Sequence, residues 1–256
     1  MQDNVNSNDF SDGHLTMPIA SCASAINNAA ALLLTNDKYD LAITELTKAL
    51  KLLAKQMRQG NIKSEPSLTG MPEPILAFVP DKAGVFVDLK STQATSCGDV
   101  SLRRQQHRFI FRKPIYLENA NVLPPLASTY ETLSYAVIYN LALAWQLSGL
   151  ATVDELSRIS MLRKALCLYE KTTNIMANGR VEGDPLLYMS VICNMGALHS
   201  CFEDKENEAS CQELLLSAIM CCIYSGYRNP QWGVLLEGFL SNVMLRFLPP
   251  VAASAA

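Results

Sequence analysis

The sequence predicts an all-α protein of helical hairpins, about seven helices in one domain, with a small β-containing insertion between the first and second helix pairs. Three observations lead there. Apolar residues return at three- and four-residue steps over long stretches, which places them on one helix face. The stretches are separated by capping, Pro and Gly signals. An Asn-apolar-small triplet also recurs, at Asn28-Ala29-Ala30, Asn140-Leu141-Ala142 and Asn194-Met195-Gly196.

The first helix covers residues 19–35, with Ile26, Ala29, Ala30, Leu33 and Leu34 as its stripe. After a short polar turn, Ala42, Leu46, Ala49, Leu50, Leu53 and Met57 carry a second helix that Gly60 stops. So short a connection makes the two an antiparallel hairpin. Ser128-Thr-Tyr-Glu131 forms a capping box for a third helix ending near Leu147, with Gly149 as its stop. Thr152-Val-Asp-Glu155 repeats that box ahead of a fourth helix that closes at Asn178-Gly179. Asp184-Pro185 gives a cap and a first-turn Pro to a fifth helix through Phe202. A sixth spans residues 207–224. Asn229-Pro230 opens a seventh striped by Trp232, Leu235, Leu236, Phe239, Val243 and Phe247. Residues 18–248 thus form the domain, with 61–127 inserted, and residues 1–17 and 249–256 are expected to be disordered tails.

In the partner helices, Ala42, Leu46 and Ala49 align with Ala165, Tyr169 and Thr172, and with Ala209, Glu213 and Leu216. Small residues at a crossing let two helices approach while larger neighbours fill the remaining space. The pattern resembles the tetratricopeptide motif: best in Asp37-Lys-Tyr39-Asp-Leu-Ala42 with Leu46 and Ala49, and equally for a first helix in Tyr139-Asn-Leu-Ala142 with Trp145 and Gly149. The array departs from the even period of roughly 34 residues, and Thr172, Glu213 and Leu216 depart from the motif. The whole chain also resembles a large group of tetratricopeptide-like paralogues found in diatoms, including its Phe109-Ile-Phe-Arg-Lys-Pro segment. Both resemblances imply a fold and no reaction.

Within the insertion, residues 75–79, 85–89 and 108–117 hold short apolar, aromatic and β-branched runs, the makings of a hairpin or three-stranded element. Arg103, Arg104, His107, Arg108, Arg112 and Lys113 gather basic charge beside two phenylalanines. Arg103, Arg104, Arg108, Arg112 and Lys113 are candidate docking residues for an anionic partner; as plain structure they are a solvated run that discourages edge pairing.

Apolar residues are 49% of the chain and charged residues 18%, enough for a packed core. A net charge of −3 and a pI near 5.7 disfavour a nucleic-acid partner. The start of the chain has no basic, apolar leader, and the uncharged stretches 132–153 and 185–202 carry amides that are costly in hydrocarbon, so no membrane role is expected. Eight cysteines without zinc spacing suit an intracellular, cytoplasmic or nuclear setting. No nucleophile elbow, phosphate loop or zinc-protease motif occurs. None of the three histidines has a catalytic neighbour, so neither an enzyme nor a cofactor or metal is expected.

Stacked helical pairs create a concave groove lined by their first helices. The lining positions are Asn27, Ala31 and Leu34, then Tyr139, Leu143 and Gln146, then Cys193, Ala197 and Ser200. None is charged, so the basic clamp of the family's chaperone-binding members is missing. The groove suits a partner's amphipathic helix or extended apolar peptide, unless the insertion or the seventh helix fills it. The chain is therefore expected to be an interaction scaffold or, alternatively, a module that forms a homo-oligomer through exposed apolar helices.

Overall fold

The computed structural model describes residues 19–58, 75–78, 109–118, 127–177, 185–227 and 232–244. Its helices are α1 (Ile19–Thr35), α2 (Tyr39–Arg58), α3 (Ala127–Ala151), α4 (Glu155–Ala177), α5 (Pro185–Cys201), α6 (Lys205–Tyr224) and α7 (Trp232–Met244). Two strands, β1 (Ile75–Phe78) and β2 (Ile115–Glu118), pair antiparallel with Ile75 opposite Glu118. The described residues are thus mostly helical, and no described helix is long and apolar enough to cross a membrane. The run at 85–89 lies outside the described residues, as do both expected tails.

Consecutive helices pack as pairs, α1 on α2, α3 on α4 and α5 on α6. Contacts of α2 with α3, α4 with α5 and α6 with α7 join the pairs into one sequential array. The expected crossing residues do this in the first two pairs, where Ala42, Leu46, Ala49, Ala165, Tyr169 and Thr172 are fully buried. In α6 the expected register is wrong. Glu213 is exposed and Leu216 is 36% exposed, while Cys211, Leu215, Ile219 and Cys222 face the core. The small residue at the crossing is therefore Cys211, two positions later: a Cβ built on Gly196 would stand 3.2 Å from Cys211 Cβ.

Two boundaries also differ. Helix α3 continues past Gly149 because that glycine is needed for approach and not as a stop; a Cβ there would lie 2.9 Å from Leu162 Cδ2. Helix α4 is capped by Asp154, which accepts from the Ser157 amide at 2.9 Å, whereas the Thr152 hydroxyl turns back to the Ser148 carbonyl. Hydrogen bonds from the Ser157 side chain and amide lower the Asp154 carboxyl pKa, as those from the Asn207 side chain and amide do for Asp204, the cap of α6.

Three helices end in the same turn. The amides of Lys38, Asp204 and Tyr227 bond the carbonyls of Leu33, His199 and Cys222, and the residue before each amide adopts positive φ. This is the paired-bond helix stop that favours glycine. Gly226 fills it in one case, but Asp37 (φ 57°) and Glu203 (φ 58°) hold the left-handed conformation against their own Cβ atoms. That conformation costs an ordinary residue roughly 1–2 kcal/mol, part of which glycine returns as unfolded-state entropy. We predict that Glu203→Gly raises unfolding free energy by about 0.5–1 kcal/mol. Denaturant titration checks this, and a loss of stability would contradict it.

Candidate functional site

Residues 109–118 run extended across the first helices of the array, from α7 past α5 and α3 to α1. An extended segment without a neighbouring strand leaves its main-chain groups unpaired, and burying them so is costly. Here side-chain carboxamides supply the missing partners. The Phe109 amide donates to Asn242 Oδ1 at 2.9 Å, and Asn242 Nδ2 donates to the Phe109 carbonyl at 2.7 Å. Asn194 clamps Phe111 in the same way, at 2.9 and 3.0 Å. Asn140 holds Ile115 at 2.7 and 2.8 Å, and Asn28 holds Leu117 with both bonds at 2.9 Å. Each carboxamide thus mimics one residue of an adjacent strand, giving one acceptor and one donor. The true strand, β1, pairs along β2 as well.

The spacing follows from the extended backbone. Alternate residues present their N–H and C=O to the same edge, so the clamped positions are all odd-numbered. The gap between Phe111 and Ile115 is bridged by the Tyr139 hydroxyl, which donates to the Lys113 carbonyl at 3.2 Å; Pro114 beside it has no amide to satisfy. Phe111, Ile115 and Leu117 are buried to 1% exposure or less, while Tyr116 and Glu118 project outward. Phe111 stacks on Phe239 with ring centroids 5.7 Å apart, and Phe109 meets the same ring edge-on at 5.6 Å. Gly238 makes room for the Phe109 ring, since a Cβ there would lie 2.5 Å from it.

A polar network backs the clamps. Asn27 donates to the Ile115 carbonyl and accepts from Asn140. Asn194 also donates to the Tyr169 hydroxyl, which passes its proton toward Gln146 Oε1 at 2.9 Å. Burial, and secondarily the nearby Cys193, pushes the Tyr139 hydroxyl up; burial does the same to Tyr169, reinforced by Tyr139. Both hydroxyls stay neutral, as donors to a carbonyl or carboxamide must.

Of the nine groove residues expected from sequence, three reach this segment. Asn27, Tyr139 and Cys193 touch the segment's main chain, the last through Sγ 3.5 Å from the Phe109 carbonyl. Ala31, Leu34, Leu143, Gln146 and Ala197 are buried, and Ser200 is half-buried. Residues 109–118 of the insertion occupy the asparagine-bearing faces of α1, α3, α5 and α7. Of the basic cluster, Lys113 is 6% exposed, which withdraws its side chain from any surface contact, and Arg112 is half-buried; Arg103, Arg104 and Arg108 lie outside the described residues. Sequence reasoning used Asn28, Asn140 and Asn194 only to align helices and passed over Asn242. The available signal was the asparagine itself: an Asn repeated on the inner face of apolar helices needs a buried partner.

A second concavity of about 560 Å³ lies between α4, α5 and α6, lined by Thr173, Met176, Ile192, His199, Ser210 and Leu214. Beside it, His199 Nδ1 lies 3.1 Å from an Asp204 carboxylate oxygen across the α5–α6 turn. Among the described residues no cluster of His, Cys, Asp or Glu is placed to hold a metal.

Comparison with family models, with curated proteins and with solved structures gives no match.

Two outcomes follow. Asn140→Ala leaves the buried Ile115 amide without its partner and its carbonyl with Asn27 alone, so stability should fall by about 1–3 kcal/mol in urea unfolding; a loss below about 0.5 kcal/mol would mean the clamp is idle. The two tyrosines set an alkaline limit. In the unfolded chain they ionise near 10, whereas the fold keeps them protonated, so their contribution is complete below about pH 10 and is lost as pH rises through the folded values. Each steepens the fall by up to about 1.4 kcal/mol per pH unit, and Tyr169→Phe should flatten that slope. An unchanged slope would contradict a buried neutral Tyr169.

Proposed function

We propose that this chain is a non-enzymatic protein-interaction scaffold of tetratricopeptide-like helical hairpins, whose concave groove binds an extended segment of a partner in place of its own residues 109–118. The observation that carries this reading is that Asn28, Asn140, Asn194 and Asn242 bond only main-chain atoms of the segment they hold. Such bonds are blind to sequence. Selectivity falls to the apolar positions that take the places of Phe109, Phe111, Ile115 and Leu117, as in strand-addition modes of peptide recognition.

The resident segment sets the terms of exchange. Each of its three fully buried side chains is worth roughly 2 kcal/mol in transfer from water. Being tethered, it competes at an effective concentration on the order of millimolar. A free peptide of similar fit at micromolar concentration therefore loses by about a thousandfold. The groove opens to a partner only where that partner fits better or the resident strand is drawn out, which makes the segment a built-in gate.

The test uses the full chain with residues 109–118 replaced by a Gly/Ser linker of equal length, mixed with a synthetic peptide carrying the sequence of residues 108–119. The peptide should raise the melting temperature of this variant in a concentration-dependent way, leave the wild type almost unmoved, and lose its effect when Asn140→Ala and Asn194→Ala are added. A folded variant that ignores the peptide would refute the groove as a strand receptor, as would binding that survives both substitutions.

A further inference from the structure

The four clamp sites share one chemistry but differ beside the clamp. One helical turn before each clamping asparagine stands a small, buried residue: Ser24, Ala136, Ser190 and Gly238. At Gly238 the Phe109 ring takes the space that a Cβ would need, with three of its atoms 2.5–2.6 Å from that point. A glycine inside a helix is unfavourable relative to alanine, and this contact is what the missing side chain serves. Gly233, on the same helix, is exposed and has open space in the Cβ position among the described residues. The residue after Gly238 is Phe239, which is fully buried and serves both aromatic side chains of the segment, edge-on to Phe109 and stacked with Phe111. Ring pairs of this kind gain beyond the area they bury. The far end differs. Ile115 and Leu117 lie in the cluster around α1 to α4, to which α1 contributes Ala20, Ala23, Ala30 and Leu34.

We propose that Gly238 and Phe239 decide which class of segment the groove accepts: one with aromatic side chains at the two positions held by α7 and α5, followed by aliphatic side chains at those held by α3 and α1. This rests on the reading of the groove as a strand receptor. The asparagines bond main chain and place any residue alike, so discrimination comes from what each side chain meets. At the α7 site a ring fits because Gly238 has no side chain, and it gains an edge-to-face contact with Phe239 that an aliphatic side chain cannot make. A smaller residue there leaves part of that space empty and forfeits the contacts the ring makes. Phe111 adds a stacked contact with the same Phe239 ring, so the two positions are read together.

The test compares peptides of residues 108–119 by fluorescence anisotropy on the full chain carrying the Gly/Ser linker at 109–118. The native peptide should bind at least about tenfold more tightly than one with Phe109→Leu and Phe111→Leu. Adding Gly238→Ala to the protein should weaken the native peptide by about tenfold or more and leave a Phe109→Ala peptide unchanged. The intact chain supplies a readout that needs no linker. There Gly238→Ala should lower the melting temperature by at least about 2 °C, whereas on a Phe109→Ala background it should raise it, as alanine for glycine does in an open helix and as Gly233→Ala should do at the exposed position. Failure of the native peptide to bind the folded linker variant would refute the receptor reading, and this inference with it. A native peptide that binds no better than its leucine counterpart, or a Gly238→Ala effect that is the same with and without the Phe109 ring, would overturn the aromatic selectivity alone.

Discussion

The fold depends on satisfying the main-chain groups of a strand that crosses a helical concavity. A helix consumes its own N–H and C=O groups, so a surface made of helices has nothing in its backbone to offer an extended chain. Four asparagines make up that deficit, one on each of α1, α3, α5 and α7. Much of the nearby packing follows. The main chain can lie close to the helices only because Gly238 yields to Phe109, and the buried tyrosines 139 and 169 remain neutral because they donate into the same network. Two hydrophobic clusters are linked by the segment as well, with Phe111 in the one around α5 to α7 and Ile115 and Leu117 in the one around α1 to α4.

What local chemistry governs was legible. The span of α1, the first-turn Pro185 and the hairpin-forming turn after Thr35 read correctly, because propensity, periodicity and capping point the same way, whereas the stripes held in part, with Ala29 and Met57 exposed. The signals that failed are those with two physical meanings. Gly149 reads as a stop, but the missing side chain serves the contact with Leu162. Thr152 reads as a cap, but Asp154 stands one residue before the helix and does the capping. In α6 the alignment to the other pairs puts the charged Glu213 at a crossing position, whereas the all-apolar set Cys211, Leu215, Ile219 and Cys222 faces inward. The strand at 75–78 was legible as a strand, but its pairing with residues 115–118 is a tertiary fact.

The groove shows the same division. Asn27, Tyr139 and Cys193, which touch the segment, could be picked out from the repeat. That the amides make a ladder, and that the chain supplies its own ligand, depends on a segment far away in sequence: Asn28 and Leu117 meet across 89 positions. On the proposed reading, recognition through main-chain bonds would make a receptor tolerant of sequence and leave discrimination to apolar positions, and tethering would let only a better-fitting competitor displace the resident segment.

Amide hydrogen exchange along residues 109–117 tests the central claim most directly. Phe109, Phe111, Ile115 and Leu117 donate to carboxamides, whereas the Ile110 and Arg112 amides have no such partner among the described residues. The account predicts strong protection at the four clamped amides, rapid exchange at Ile110 and Arg112, and selective loss of protection at Ile115 in Asn140→Ala. Uniformly rapid exchange through the segment, or protection without this alternation, would show that the asparagine ladder does not hold the strand.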